Sequence, residues 1–412
     1  MALNWCSPGI RLAWNSLLNT IGGDMVSEGF TGYDASHIQV LEGLDAFRKR
    51  PGMYIGSTSE RGLRQMVFEV ADLAVNELLA GHATSVDITL TSDGGVCVTN
   101  DGLGLPIDEA EGAGGPGLEA LLTHMRPWSA LHRRHEVPLS FCGVGPVVVN
   151  ALSRRMTAEV RREGVRWVQE YERGKAVIPL SEAGPATGSG TTIVFWPDAD
   201  IFGTAECSLD GLVERFRELA FLNQGLDVSL TDRRRPGESR SARFRFPGGV
   251  RDFVVHLDGD RVTPTLMDTV AFERDDPRMA GVMEVAFRWC GSREERVRSF
   301  ANSRPTDEGT HTAGFRDGVA AAVTAYAREH GLLTASDPDL GADRIGQGLT
   351  AVVSVKLDRP EFQGSTSGVL GNSEVRDCVG QAVQQYLGGW LKKHPEQAAA
   401  VINQVVQDAR RD

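Results

Sequence analysis

The sequence predicts an α+β protein, and three observations support this fold class. Residues 61–81 repeat apolar side chains with the period of a helix. Residues 85–100, "SVDITLTSDGGVCVTN", alternate apolar and polar residues on both sides of Asp93-Gly94-Gly95, which is typical of two strands joined by a tight turn. From about residue 249, longer strand patterns alternate with paired helical patterns. We therefore expect mixed sheets covered by helices.

Composition is that of an ordinary soluble globular protein. The chain has 412 residues, of which 41% are hydrophobic and 24% charged, enough for two or three domains. A net charge of −12 disfavours nucleic-acid binding over the whole surface, so we predict no strong direct DNA binding. We interpret the local basic cluster as a solvated hairpin edge, with a local basic patch as the alternative. The cluster contains Arg233, Arg234, Arg235, Arg240, Arg243 and Arg245.

The cysteines indicate a reduced, cytoplasmic protein without a metal site. There are six, with no CxxC pair and no histidine at metal-ligand spacing. No apolar run is long enough to cross a membrane, so we expect no membrane partner. Residues 1–31 lack the basic start and cleavage site of a signal peptide. We expect them to form a disordered extension, with a misassigned start codon as the alternative.

The elements of the first half follow from local patterns. Pro51-Gly52 breaks a short helical pattern, and the helix over 61–81 ends at Gly81. Its predicted buried face contains Leu63, Met66, Val67, Val70, Leu73, Ala74 and Leu78. Weak periodicity over 108–142 predicts a long mobile segment. "GVGPVVVNALS" (143–153) predicts a glycine-rich turn before a helix, and "GSGTTIVFWP" predicts a buried strand ended by Pro197.

The second half begins near residue 248, where we place a domain boundary. "GVMEVAFRWC" and "LTAVVSVKL" predict apolar strands, and the last forty residues predict helices interrupted at Gly388-Gly389 and Pro395. The predicted organisation is therefore an extension over 1–31, a first structured domain over 32–248 and a second over 249–412.

Three separated segments suggest one phosphate-handling site. They are the acidic helix with Glu69, the loop "NDGLGLP" (100–106) and the turn "GVGPVVVNALS". Glycines let backbone amides approach a phosphate, and a helix N-terminus adds a favourable dipole. A neighbouring carboxylate can then activate water. Each segment alone is a weak signal, and Glu69 alone is more often a structural carboxylate.

In this order, the segments resemble the Bergerat-fold ATPases. "YDASHIQVLEGLDAFRKRPGMYIG", "MVFEVADLAVNELLAG", "FRELAFLNQGL" and "GTHTAGFR" narrow the resemblance to the B subunits of DNA gyrase and topoisomerase IV, from about residue 32 to the end. The resemblance implies an arm and a Bergerat-type ATPase sandwich over 32–248, then a ribosomal-protein-S5-like transducer domain. The family's Toprim domain and DNA-cleavage region are not matched, so we expect no DNA cleavage from this chain alone.

The resemblance assigns roles to the retained residues. Glu69 matches the general base, and Tyr33 matches the arm residue that reaches the other protomer, which implies a homodimer through the arm and ATPase-like domain. The retained positions of the ATP pocket are Asp101, Gly102, Gly104, Pro106, Gly143, Val144, Gly145 and Thr191. Asn100 replaces the family's adenine-binding aspartate, so adenine recognition is expected to be weakened.

Other family positions are lost. Leu73 replaces an asparagine that holds magnesium, and leucine offers no oxygen to that ion. Leu103 replaces an arginine that pairs with the glutamate matching Glu77. Val168 stands where an arginine is common at the pocket mouth. Four further losses affect the phosphate lid and the γ-phosphate sensor, namely Leu139, Ser140, Ser365 and Ser367.

These losses favour a gyrase-B-like pseudo-ATPase that dimerises and binds a partner or regulates a topoisomerase, with weak ATP binding and no magnesium site. A second hypothesis is that the pocket binds or converts another small molecule, in specialised metabolism, with Glu69 as acid or base. In that case Leu73, Leu103, Leu139, Phe141 and Trp128 would make the cavity apolar. A third is a topoisomerase component of the same type with residual ATPase activity.

Overall fold

The first half of the chain folds around an eight-stranded sheet and the second half around a five-stranded sheet. The computed structural model describes residues 44–107, 117–125, 144–235, 237–259, 264–334, 340–341, 345–364 and 368–409. Residues Gly43–Asp412 belong to one compact unit. The predicted extension over 1–31 and the arm residue Tyr33 lie outside the described residues.

Eleven helices are found in this described part. They are α1 (Asp45–Lys49), α2 (Gly52–Ile55), α3 (Glu60–Leu79), α4 (Leu118–Thr123), α5 (Pro146–Leu152), α6 (Ala199–Phe202), α7 (Leu209–Leu222), α8 (Val250–Asp258), α9 (Thr310–Glu329), α10 (Ser373–Lys393) and α11 (Pro395–Ala409). One short 3-10 helix, Pro277–Met279, precedes the strand Gly281–Trp289 of the second sheet.

The strands of the described part range in length from two to eleven residues. They are β1 (Val86–Leu90), β2 (Val96–Asn100), β3 (Ser153–Arg162), β4 (Val165–Glu172), β5 (Lys175–Pro185), β6 (Gly190–Pro197), β7 (Val228–Asp232), β8 (Arg240–Phe244), β9 (Val270–Asp276), β10 (Gly281–Trp289), β11 (Arg296–Ala301), β12 (Arg304–Thr306), β13 (Glu308–Gly309), β14 (Leu349–Leu357), β15 (Phe362–Gln363) and β16 (Val369–Leu370).

The first sheet has the order β5-β4-β3-β6-β2-β1-β7-β8. Strands β1 and β7 are parallel, and the other neighbours are antiparallel. The predicted hairpin is confirmed, with Ile88 opposite Val98. Helices α3, α5 and α7 bury apolar faces in the core of this sheet, where Met66, Val148 and Phe216 are fully buried. This packing brings the middle of α3 beside the start of α5.

The basic cluster lies on the β7–β8 hairpin at the edge of the first sheet, as the hairpin interpretation predicted. Three of its arginines are paired with carboxylates. Arg234 contacts Asp232 at 2.6 Å, Arg240 contacts Asp210 at 2.7 Å, and Arg243 contacts Asp227 at 2.8 Å. Charged residues at an exposed edge also discourage pairing with another strand.

The second sheet has the order β12-β11-β14-β10-β9, and β11 and β14 are parallel. Helices α9 and α10 pack together and bury their apolar faces against this sheet. The two apolar strands predicted from sequence are β10 and β14, and they pair with each other. A small third sheet joins β13, β16 and β15.

Two sequence expectations need correction. Residues 108–142 were expected to form a long mobile segment, but α4 forms inside it because Leu118 and Leu122 are fully buried in the first core. The interruption expected at Gly388-Gly389 is wrong, since α10 continues through both glycines. Leu387 and Leu391 on either side are fully buried, and their packing outweighs the low helix propensity of glycine. Pro395 begins α11, as a proline in the first turn can.

A small apolar cluster joins the two sheets. Phe221 at the end of α7 stacks on Phe253 of α8, with ring centroids 4.7 Å apart, and Phe300 of β11 completes the contact. Beside it, Asn223 Nδ2 donates to Ser303 Oγ at 3.2 Å. Lys356 of β14 donates to the Leu222 carbonyl at 3.0 Å. The domain boundary near residue 248 falls just before α8 and stays a prediction.

Candidate functional site

The predicted general base lies where α3 meets the glycine turn before α5. Glu69 is 1% exposed, and its Oε2 accepts a hydrogen bond from the Gly145 amide at 2.8 Å. Gly145 has φ of +83°, a conformation that favours glycine. The carboxylate therefore binds an amide at the start of α5, one of the groups that a phosphate cradle would use.

A second contact fixes the other carboxylate oxygen of Glu69. Gln65 lies one turn earlier on α3, and its Nε2 donates to Glu69 Oε1 at 3.2 Å. Gln65 was not among the residues predicted from sequence, although the four-residue spacing between Gln65 and Glu69 indicates such a contact on a helix. Glu69 is thus oriented from both sides.

The loop after β2 is built around the side chain of Asn100. Its Oδ1 accepts hydrogen bonds from the Gly102 amide at 3.0 Å and the Thr191 amide at 3.3 Å. Because two N–H groups point at this atom, it must be the oxygen, and the amide nitrogen is the group left for a ligand. Asn100 is 5% exposed.

Thr191 holds the same loop from β6, directly opposite Asn100 in the sheet. Its hydroxyl accepts a hydrogen bond from the Leu105 amide at 3.0 Å. Gly104 has φ of +81°, and a Cβ there would lie 2.8 Å from the Arg161 carbonyl. Glycine is therefore required at this position by both conformation and space.

The side chain of Asp101 connects this loop to the segment before β1 by hydrogen bonds. Its Oδ1 accepts the amides of Thr84 at 2.7 Å and Ser85 at 3.0 Å, and the Thr84 hydroxyl also binds the carboxylate. Burial opposes ionisation, but the hydrogen bonds outweigh it and lower the pKa of Asp101. The contacts of Asp101 are those of a structural residue.

Comparison with known proteins decides the family. The DNA gyrase B family model matches residues 249–412. The DNA gyrase B protein of Streptomyces coelicolor is 41% identical over 423 residues, covering 98% of this chain and 61% of the relative. The 43K ATPase domain of Thermus thermophilus gyrase B, solved with an aminocoumarin, superposes with a TM-score of 0.74 at 32% identity, covering 89% of this chain and 95% of that one. This chain belongs to the DNA gyrase B family.

Two further relatives define the extent of the match. The novobiocin-sensitive DNA gyrase B protein of Streptomyces niveus is 42% identical over 402 residues, covering 92% of this chain and 58% of the relative. The topoisomerase IV ATP-binding domain of Francisella tularensis, solved with a small-molecule inhibitor, has a TM-score of 0.72 at 27% identity, covering 90% of this chain and 98% of that one. The chain thus spans about 60% of the length of these curated relatives. No helix in its described part has the length and apolar character of a membrane span.

Leu73 lies on α3 one turn after Glu69, in this gyrase-B-like fold. Its side chain is half-buried and packs against the core of the first sheet. A residue four positions after Glu69 shares its helix face. Leu73 therefore presents only carbon beside the carboxylate and offers no oxygen ligand to a metal ion.

Leu103 is more exposed than the small-molecule hypothesis required. It is 54% exposed, so it does not form part of a buried apolar lining. Glu77, the residue expected to have lost its arginine partner, has an Oε2 that is buried and makes no hydrogen bond within the described part of the chain. His82 Nδ1 lies 3.9 Å from this oxygen.

The other predicted pocket positions lie in β4, in the loop after β2, before α5 or outside the described residues. Val168 lies on β4 opposite Glu159 of β3, and Pro106 follows Leu105 in the loop. Val144 packs against the core of the first sheet. Trp128, Leu139, Ser140, Phe141, Gly143, Ser365 and Ser367 lie outside the described residues. The structure therefore places Gly145 against Glu69, one turn before Leu73 on α3. Separately, it gathers Asn100, Gly102, Gly104 and Thr191 around the loop after β2.

Proposed function

We propose that this chain is a gyrase-B-like pseudo-ATPase, in which turnover of ATP with magnesium is lost or crippled. It would act as a dimerising regulatory or partner-binding module related to type II topoisomerases. The observation that carries this proposal is Leu73, packed against the core on the helix face of Glu69. A carboxylate base without a nearby magnesium ligand lacks the ion that neutralises charge on the transferred phosphoryl group.

The residues present do not fit a magnesium-bound triphosphate. Besides Leu73, the Gly145 amide is already bound by Glu69 Oε2 at 2.8 Å, so this amide is not free for a phosphate oxygen. The lid and sensor changes at Leu139, Ser140, Ser365 and Ser367 support the same proposal from sequence alone. Loss of the metal ligand and loss of a free cradle amide would each raise the barrier to hydrolysis.

Calorimetry with a magnesium complex of a non-hydrolysable ATP analogue tests the proposal. We expect binding weaker than about 1 mM for the natural sequence, which corresponds to about −4 kcal/mol. The double variant Leu73→Asn, Ser367→Lys restores an oxygen ligand and a cation, and we expect it to bind more tightly. Tight binding by the natural sequence, unchanged in the double variant, contradicts the proposal and favours residual ATPase activity.

A second candidate function is supported by Asn100. Since its Oδ1 accepts two backbone amides, the side chain offers an N–H donor where the family resemblance implies recognition of the adenine amino group, itself a donor. A ligand with a carbonyl oxygen at that position fits better. The pocket would then bind or convert another small molecule, with Glu69 as acid or base.

Substitution of this one residue separates the two candidates. Asn100→Asp gives the side chain a second acceptor oxygen, while one oxygen keeps the amides of Gly102 and Thr191. If adenine recognition is the defect, affinity for an adenine nucleotide rises about tenfold. If the natural chain binds a hypoxanthine nucleotide more tightly than the adenine nucleotide and Asn100→Asp reverses this order, the recruited pocket is favoured.

A further inference from the structure

A cavity of about 280 Å³ lies between helices α3 and α7 and strand β11, where the first sheet's helices meet the second sheet. It is separate from the loop that holds Asn100. Its charged lining consists of Arg61, Arg64, Arg215, Arg298, Glu214 and Glu218. Four arginines face two glutamates, so the formal charge of the lining is positive.

The two glutamates do not satisfy these arginines. Glu218 is shared, because it pairs with Arg215 at 3.5 Å and also accepts a hydrogen bond from Arg298. Among the described residues, Arg61 has no ion pair, and neither has Glu214. Arg61 therefore remains available for a further anion.

Two guanidinium nitrogens in this lining are buried and make no hydrogen bond to any described residue. Arg64 Nε lies 3.7 Å from Glu60 Oε1, and Arg215 Nη1 lies 3.5 Å from Glu218 Oε2, distances of ion pairs without a hydrogen bond. A buried donor without an acceptor is costly, and native proteins keep few of them. An oxygen-rich anion in the cavity would place further negative charge beside these two guanidinium groups, of which Arg215 also donates Nη2 to the Ser303 carbonyl at 3.0 Å.

Gly211 at the start of α7 leaves room for the guanidinium group of Arg64. A Cβ on Gly211 would lie 2.3 Å from Arg64 Nη1, so the absence of a side chain lets this guanidinium lie against the first turn of the helix. A cation at the positive end of a helix is unfavourable unless an anion accompanies it. Burial also lowers the pKa of Arg215, and the neighbouring Glu218 only partly opposes this effect.

We propose that this cavity binds a small phosphate-type dianion, held by the guanidinium groups of Arg61, Arg64, Arg215 and Arg298. Planar guanidinium groups bind phosphate oxygens with paired hydrogen bonds, which explains why four arginines rather than lysines suit this ligand. Gln65 lines the same cavity and donates to Glu69 Oε1 at 3.2 Å. The bound dianion therefore lies one side chain away from the carboxylate of the candidate site.

Isothermal titration of the full chain with inorganic phosphate, at fixed ionic strength in chloride, tests this proposal. We expect saturable binding to one site with a dissociation constant of about 1 mM or tighter. The double variant Arg61→Gln, Arg64→Gln should weaken binding at least about tenfold. Arg376→Gln is the control, because Arg376 lies on α10 and pairs with Asp317 at 2.7 Å, away from the cavity, and it should bind phosphate like the natural chain.

Gly211→Ala gives an independent test that changes no charge. The added methyl group should displace the Arg64 guanidinium and weaken phosphate binding, while the helix itself is not weakened. Pyrophosphate should compete with phosphate, because the cavity is large enough for two phosphoryl groups. Phosphate binding that survives both Gly211→Ala and the double arginine variant overturns the proposal, as does the lack of saturable binding in the natural chain. Displacement of phosphate by duplex DNA, but not by pyrophosphate, overturns the assignment to a small ligand.

Discussion

Single side chains in this protein have roles that their type alone does not reveal. Glu69 was predicted as a base, and its carboxylate accepts a hydrogen bond from the Gly145 amide just before α5. Asp101 was predicted as a pocket residue, and its contacts hold the segment before β1. Asn100 was predicted to weaken adenine recognition, and its Oδ1 already accepts hydrogen bonds from two backbone amides. These distinctions depend on hydrogen-bond partners that are distant in sequence.

His311 makes stability depend on pH. It is fully buried at the start of α9, with Nε2 3.0 Å from Thr306 Oγ1 and a buried Nδ1 that has no hydrogen bond to the described residues. Burial lowers the pKa of His311 from 6.5 to about 4. The unfolded chain therefore binds a proton at higher pH than the folded chain. The contribution of neutral His311 to the free energy of unfolding is fully present above pH 6.5. It is lost as the pH falls towards 4, by about 3 kcal/mol in total.

We expect His311→Asn to make the free energy of unfolding depend less on pH between 6.5 and 4. Urea unfolding at several pH values between 6.5 and 4 measures the slope, which is informative even if the variant is less stable at neutral pH. His256→Asn is the control, because His256 is exposed on α8. Equal slopes for His311→Asn and the natural chain would show that another group carries the effect.

Helices in the second half are specified by packing more than by propensity. Helix α10 runs through Gly388-Gly389, and a Cβ on either glycine would meet nothing within 4 Å. In contrast, a Cβ on Gly314 of α9 would lie 2.3 Å from the Arg376 carbonyl of α10. Glycine is therefore dispensable at the first two positions and required for close helix packing at the third.

Alanine substitutions test this difference. Gly388→Ala and Gly389→Ala should each raise the free energy of unfolding by about 0.5 to 1 kcal/mol, because they stiffen the unfolded chain and favour the helix. Gly314→Ala makes the same chemical change. It should lower the free energy of unfolding by about 1 to 3 kcal/mol, because the backbones of α9 and α10 must move apart. Thermal denaturation measures all three. Destabilisation by the α10 substitutions would mean that the helix is not continuous in solution.

The sequence predicted features that depend on nearby residues better than features that depend on residues distant in the chain. The α+β class, the β1–β2 hairpin and the α3 face depend on nearby residues, and local periodicity was sufficient for them. The continuity of α10 depends on contacts with α9, and the exposure of Leu103 depends on how its loop lies against β6. The arginine cavity joins residues from three elements spread over more than 230 positions, so no sequence window contains it.

At the scale of the whole molecule, two sheets are joined by an apolar cluster, and the candidate site lies on the side of the first sheet. Two sheets are joined through Phe221, Phe253 and Phe300, and the first carries a buried carboxylate at the position that the family resemblance gives to the base. Leu73 packs against the core on the same helix face. We therefore predict that the fold persists while Glu69 no longer contributes to ATP hydrolysis.

The most direct test of this central claim is the steady-state rate of ATP hydrolysis, with magnesium, by the natural chain and by Glu69→Gln. Leu73→Asn, Ser367→Lys serves as the positive comparison, prepared in the same way. We predict that the natural chain and Glu69→Gln hydrolyse ATP at the same background rate. A rate for the natural chain well above that of Glu69→Gln would contradict this claim, since it would show that Glu69 still acts as the base of a working ATPase.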